Sequence, residues 1–229
     1  MTRTFARPMA RVLRRAPLAA LLAALFAVAL LASGCAKPPV YTKPLDTQRS
    51  LGLAGFTQPL YTWQLLAGYI PDNRALVEDE TLFDLDRTLA AQLLKGSKRP
   101  LSGPAVTRQC QEIVVFENKD KRGAALDYWT NVGRCMPVDY LVVPQVVDWR
   151  EREGSERGVT RPASVVLDLY VIDVAKGELV SRYHFDETQT SLSENLLDFN
   201  KFLSRKARWL TAEELAQEGI RQGLLELGL

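Results

Sequence analysis

A single histidine, His184, stands in a chain of 229 residues, which excludes every site that needs two imidazoles. Three cysteines make no disulfide scaffold, and the absence of a Cys-x-x-Cys pair argues against thiol oxidoreductase chemistry. A Gly-x-Ser-x-Gly elbow, which a Ser-His-acid triad on an α/β sheet would use, is missing as well. Neither Gly52-Leu53-Ala54-Gly55 nor the stretch from Gly96 to Gly103 has the Gly-x-x-x-x-Gly-Lys order of a phosphate loop. With 29 Lys and Arg against 27 Asp and Glu, the chain lacks the basic excess that phosphate neutralisation requires, so no nucleic-acid partner is expected. Long apolar runs are also scarce, which excludes a multi-span membrane protein. At 47% hydrophobic and 24% charged, the chain is nevertheless too apolar to be disordered.

The one long apolar run lies at the start. Arg3, Arg7, Arg11, Arg14 and Arg15 precede it without any acid, and Leu18 to Ala32 is unbroken over 15 residues. A basic n-region followed by such an h-region reads as an export signal, and the run is shorter than the roughly 20 residues that span a bilayer. It ends in Leu31-Ala32-Ser33-Gly34-Cys35. Small residues before that Cys resemble the lipobox of bacterial lipoproteins, with Ala32 where Leu is commoner. The resemblance implies cleavage after Gly34, a diacylglyceryl group on Cys35 and acylation of the new amine. Ala36 and Lys37 follow where an Asp would favour inner-membrane retention, so the resemblance implies an outer-membrane lipoprotein facing the periplasm. Two acyl chains suffice for stable anchoring without a protein span. Removing residues 1–34 takes away five Arg and no acid, shifting the formal charge from +2 to −3.

Three regions follow from this reading: a signal peptide over 1–34, a lipidated Cys and flexible tether over 35–58, and one α/β domain over 59–229. Pro38, Pro39 and Pro44 among Lys, Thr and Ser give the tether its semi-extended character. A packed N-terminal arm is the alternative for the same residues, above all beyond Leu51. Tyr61 to Ile70 mixes aromatic and aliphatic residues up to the turn cluster Pro71-Asp72-Asn73 and predicts an irregular strand. Leu82, Leu85, Leu89 and Leu93 recur at helical spacing, predicting a helix over 80–95. Ile113 to Phe116 predicts a short strand within 111–117, and Ala125, Leu126, Trp129 and Val132 a second helix over 123–132.

A buried strand is predicted between Val138 and Arg150, with Pro144 marking an edge or a bulge. The next strand, Ser164 to Val174, places Val165, Leu167, Leu169 and Val171 on one face and Val166, Asp168, Tyr170 and Ile172 on the other. Ala175-Lys176-Gly177 turns it back through Glu178 to Phe185, which makes three consecutive strands a meander. Ser191 or Ser193 begins a helical stripe of Leu192, Leu196, Phe199 and Leu203. Thr211-Ala212-Glu213-Glu214 is a capping box for a last helix, with Leu210 placed to staple onto Leu215. The expected fold is an α/β (α+β) sandwich: a mixed sheet with a C-terminal antiparallel meander covered by helices.

This order, with the hairpin Asp168-Leu169-Tyr170-Val171-Ile172-Asp173-Val174-Ala175-Lys176-Gly177-Glu178-Leu179-Val180, resembles the periplasmic domain shared by three groups: the curli-secretion lipoprotein, the lipoprotein activators of penicillin-binding proteins, and the TolB N-terminal domain. Pro162-Ala163-Ser164-Val165, Phe185 to Gln189, Leu192 to Leu196 and Arg208 to Leu215 are similar to a group of bacterial lipoproteins without an assigned activity. The absence of a catalytic constellation, together with the tether and a compact α/β domain, favours a non-catalytic binding or assembly module for a cell-envelope partner, such as a peptidoglycan synthase, a secretion assembly or further copies of the chain.

Cys110 and Cys135 are the two thiols left once Cys35 is lipidated, and an exported chain sits where disulfides persist, so a bridge between them is expected; two free buried thiols are the alternative. Neither cofactor nor metal is expected. Trp149, Arg150, Glu151 and Arg152, together with Arg208 and Trp209, form polar and aromatic clusters suited to contacting a partner. Paired carboxylates keep an enzyme reading open: Asp148, Glu151 and Glu153 at a strand end and Asp186 with Glu187 after the last strand are acids that could converge on cell-wall glycan. Arg150, Arg152, Arg157 and Arg161 interleave with the first group, which makes a self-paired solvated surface the competing expectation.

Overall fold

Strand Ser164–Asp173 is paired on both edges and buried on both faces. In the computed structural model, which describes residues 45–96, 98–117, 124–190 and 199–229, nearly every side chain of this strand is buried. The leader, Cys35, residues 36–44 and the segment 191–198 lie outside the described residues. Strands β1 (Leu51–Leu53), β2 (Leu101–Ser102), β3 (Tyr140–Arg150), β6 (Ser164–Asp173) and β7 (Glu178–Thr188) form one sheet in the order β2-β1-β3-β6-β7. β1 runs parallel to β2 and β3, whereas β3, β6 and β7 are the antiparallel meander. A small hairpin of β4 (Glu153–Ser155) and β5 (Gly158–Arg161) projects between β3 and β6. The fold is therefore α+β with a mixed sheet.

Odd-numbered β6 residues Val165, Leu167, Leu169 and Val171 pack into one core with helices α1 (Asp79–Gly96) and α5 (Ala212–Leu227). Tyr170 and Ile172 on the other face pack with α2 (Pro104–Glu117) and α3 (Ala125–Cys135). The sheet is thus sandwiched between helix pairs, and the two-residue period of β6 dictates which residues meet which pair. A short helix, α4 (Phe199–Ser204), precedes α5. Thr211 caps α5 as expected: its Oγ1 accepts from Glu214 N at 3.1 Å while Glu214 Oε2 accepts from Thr211 N at 3.0 Å. Leu210 and Leu215 are both buried in the same core.

Four expectations are corrected. The segment Gln111 to Glu117 is helical, not a strand. Pro104 opens the helix without losing a needed donor, and Thr107, Cys110 and Val114 form its buried stripe. Four β-branched and aromatic residues in a row are compatible with either state, and burial against β1 and α3 decides. Cys110 joins Cys135 at the end of α3, with Cα atoms 5.7 Å apart. That bridge closes a sequence separation of 25, worth about 3 kcal/mol on the chain-entropy model.

Tyr61 to Ile70 is not a strand either but a 3-10 turn at Thr62–Gln64 followed by irregular chain, because side chains satisfy its donors. Gln64 Oε1 accepts from Leu60 N and Tyr61 N at 2.7 and 3.0 Å. Residues 45–58 belong to the folded unit and are no tether: Leu45, Leu51, Leu53 and Phe56 are core, and β1 sits inside the sheet.

Finally, Pro144 occupies neither an edge strand nor the β3 bulge, which lies at Val146/Asp148. Its missing N–H points toward residues 54–57, just past the end of β1. Ala54 N donates to Val142 O at 2.9 Å and Val146 N to Thr57 O at 2.9 Å, so the ladder closes around the proline.

Candidate binding surface

The face of the sheet shared with α2 and α3 also carries a row of polar side chains. Gln145, Asp168 and His184 lie side by side on β3, β6 and β7, and Tyr170 and Arg182 sit two residues along their strands. Asp168 is 1% exposed, a carboxylate that burial penalises unless it is paired. It is fully paired. Oδ1 accepts from Arg182 Nε at 2.8 Å and contacts His184 Nδ1 at 2.9 Å, and Oδ2 accepts from Arg182 Nη2 at 3.1 Å. The carboxylate raises the Arg182 pKa, and the guanidinium lies 5.6 Å from the Tyr170 ring centroid. Burial likewise pushes the Tyr170 hydroxyl up, and that hydroxyl donates to Ala67 O at 3.0 Å.

This row fastens the segment between β1 and α1. Gln145 Nε2 donates to Gln64 O at 3.0 Å and its Oε1 accepts from Leu66 N at 3.3 Å, so one buried amide grips the backbone twice. Leu66 and Ala67 pack on the apolar core below. With its backbone pinned, the segment turns its large side chains outward: Leu60, Tyr61, Trp63 and Tyr69 are 49%, 60%, 46% and 78% exposed. Tyr61 and Trp63 are parallel, 8° between planes and 6.0 Å between centroids. Four large apolar side chains held out on one short segment are a feature of recognition surfaces, where rigid aromatics lose little entropy on contact.

The clusters expected from the sequence are placed differently. Trp149, Arg150, Glu151, Arg152, Arg208 and Trp209 do come to one end of the sheet, beside the start of α5, but internal partners occupy most of them. Arg152 donates to Trp209 O, both oxygens of Glu151 accept from Ala212 N at 3.1 and 3.2 Å, and Arg208 grips Glu214. Arg150 lies 3.6 Å from Asp148, and Trp149 packs partly buried against the core. These contacts weld the β4–β5 region to α5.

The carboxylates are likewise separated. Glu153 pairs with Arg161, and Glu187 with Lys201 and Arg205. Asp148 and Asp186 flank Val166 on neighbouring strands, about 9.6 Å apart by strand spacing. A groove of about 560 Å³ lies elsewhere, between α1 and α2. At its floor Asp86 accepts from Phe56 N and from Arg108 at 2.6 Å, and burial raises its pKa against both contacts. These bonds tie the exit of β1 to the two helices.

Among the described residues, no group of three or more His, Cys, Asp and Glu could hold a metal ion, and no helix is long and apolar enough to cross a membrane. Among the described residues, the hydrogen-bond partners of the His184 ring are Asp168 and Arg182.

No family model matches the chain. No curated protein matches it either. Similar solved structures include the PelC dodecamer from Paraburkholderia phytofirmans, at 12% identity and TM-score 0.43, covering 80% of this chain and 90% of that one. The LpoB C-terminal domain from Salmonella enterica has 14% identity and TM-score 0.37, covering 72% and 94%. Lipoprotein GNA1162 from Neisseria meningitidis has 10% identity and TM-score 0.37, covering 69% and 98%. Identities this low and superpositions this loose assign the chain neither a family nor an activity.

Sequence reasoning passed over Asp168 and the aromatic segment. Two signals were present: a lone acid on an otherwise apolar strand face, and Tyr61, Trp63 and Tyr69 crowded between Pro59 and Pro71.

Proposed function

We propose that this chain is a lipid-anchored envelope lipoprotein whose folded unit is a non-catalytic binding module, docking a periplasmic protein partner through Leu60, Tyr61, Trp63 and Tyr69. The exposed aromatic segment, fixed from below by Gln145 and Tyr170, carries the reading. Cys35 bears the diacylglyceryl group after cleavage behind Gly34, in the outer membrane facing the periplasm. Residues 36–44 link that Cys to the folded unit. The consumption of Glu151, Glu153 and Glu187 by structural pairs supports binding over glycan cleavage.

A photocrosslinking residue at position 63 tests the surface in cells, with Leu225 on α5, 78% exposed against 46% for Trp63, as the comparison site. A discrete adduct from position 63, absent from 225 and reduced by Tyr61→Ala, is expected; equal adducts from both sites would overturn the assignment. Cys35→Ser is expected to move the protein from the membrane to the soluble fraction, and retention in the pellet would sink the lipid anchor.

A further inference from the structure

β7 ends the sheet on one side, and its outer edge has no partner among the described residues. An open edge is a template for another strand, which native proteins blunt with Pro, Lys or bulges. β7 contains no Pro and no Lys, and its bulge lies at the lower end, where Ser181 pairs with Val171 but Leu179 with Ile172. From Ser181 to Thr188 the strand is regular for eight residues.

The hydrogen-bond phase identifies the groups presented. Val142, Pro144 and Val146 turn their backbone groups toward β1 and residues 54–57. Their odd-numbered neighbours on β3 therefore face β6, the odd residues of β6 face β7, and the odd residues of β7 face inward. The N–H and C=O groups of Arg182, His184 and Asp186 point outward. The side chain of Asp186 is exposed and has no partner among the described residues, and Arg182 uses Nε and Nη2 on Asp168, leaving Nη1 over.

We infer that a second copy of this chain pairs antiparallel with β7 about a two-fold axis at His184, joining two sheets into one. Antiparallel self-pairing must set even residues against even residues, and charge chooses among the registers that remain. An axis at Arg182 or at Asp186 sets like charges opposite each other, one at Tyr183 sets Arg182 against His184, and one at Phe185 sets His184 against Asp186 but leaves Arg182 facing Thr188. An axis at His184 sets Arg182 of each copy opposite Asp186 of the other, giving two cross-strand ion pairs on one face. The pairing exchanges both main-chain hydrogen bonds at positions 182, 184 and 186, and it is isologous, as a closed dimer requires.

Cysteine crosslinking of the full-length chain tests both the partner and the register. Residues in a hydrogen-bonded antiparallel pair have Cα atoms about 5.5 Å apart, within disulfide range. His184→Cys is expected to give a disulfide-linked dimer under mild oxidation, above the baseline of the parent chain with its own three cysteines. Thr188→Cys lies four residues from the axis and is expected to give at least about tenfold less. Adding Asp186→Arg to His184→Cys sets Arg against Arg twice and is expected to cut the dimer at least about tenfold. A folded His184→Cys protein, with its introduced thiol open to labelling but no dimer, overturns the pairing. Equal crosslinking at 188, or a dimer insensitive to Asp186→Arg, overturns the register.

Discussion

Asp168 is the buried charge in the polar row beneath the candidate surface. A buried carboxylate held by one guanidinium and one imidazole leaves its partners without a charge to face once it is neutralised, although Arg182, at 31% side-chain exposure, recovers some hydration. Asp168→Asn is expected to cost about 2–4 kcal/mol, seen as a lower urea midpoint with an unchanged m-value. In a double-mutant cycle with Arg182→Gln the losses should be strongly non-additive; additive losses would show that the pair is not coupled.

A second residue-scale expectation concerns acid. Arg208, through paired hydrogen bonds, holds the Glu214 carboxyl below its usual range, helped by Thr211 N. Ser50 does the same for Asp139. A depressed native pKa means that the unfolded chain takes up the proton first. The stabilisation is therefore complete above about pH 4.3, the ordinary glutamate value, and is lost as pH falls through the native value. Asp86, raised by burial, has the opposite sign: its contribution is present at low pH and lost as pH rises through its native value. Glu214→Gln should flatten the acid limb of a plot of urea midpoint against pH; an unchanged slope would remove Glu214 from the account.

At the scale of elements, α5 and β7 touch through glycine. A Cβ at Gly223 would lie 2.5 Å from Tyr183 Cδ1 and 2.7 Å from Leu169 Cδ1, and one at Gly219 would lie 2.8 Å from the Phe185 ring. Alanine is the better helix former by about 1 kcal/mol, but it would hold the helix off the sheet. Gly223→Ala is thus expected to lower stability by about 1–3 kcal/mol despite the propensity gain, measured by thermal or urea unfolding, whereas a stabilised variant would show that the contact relaxes. Element type was legible where a periodic pattern was long: α1, α3, β3, β6, β7 and α5 follow their apolar spacing, and the α5 cap follows its four-residue signature. It was not legible over 111–117 or 61–70, where short apolar runs fit more than one period and partners distant in sequence choose between them.

For the whole molecule, the N-terminal boundary carries the largest consequence. A chain beginning at Pro59 lacks Leu45, Leu51, Leu53 and Phe56 and leaves β2 unpaired. Four buried side chains at about 1.5–3 kcal/mol each amount to much of a domain's usual 5–15 kcal/mol. That chain is expected to show no cooperative urea transition, while one beginning at Thr42 unfolds in a single step; equal midpoints would return residues 45–58 to the tether.

Among the candidate site residues, the sequence could indicate the Cys110–Cys135 pair, because few thiols leave few combinations. It also placed Asp168 on a definite strand face, because side chains alternate along a strand whatever it pairs with. Which acid is buried, which loop Gln145 grips and which aromatics remain outside are consequences of packing. They depend on contacts between residues roughly 80 to 100 positions apart, such as Gln64 with Gln145 and Ala67 with Tyr170. Local periodicity determines the face a residue occupies; only the assembled sheet decides what covers that face.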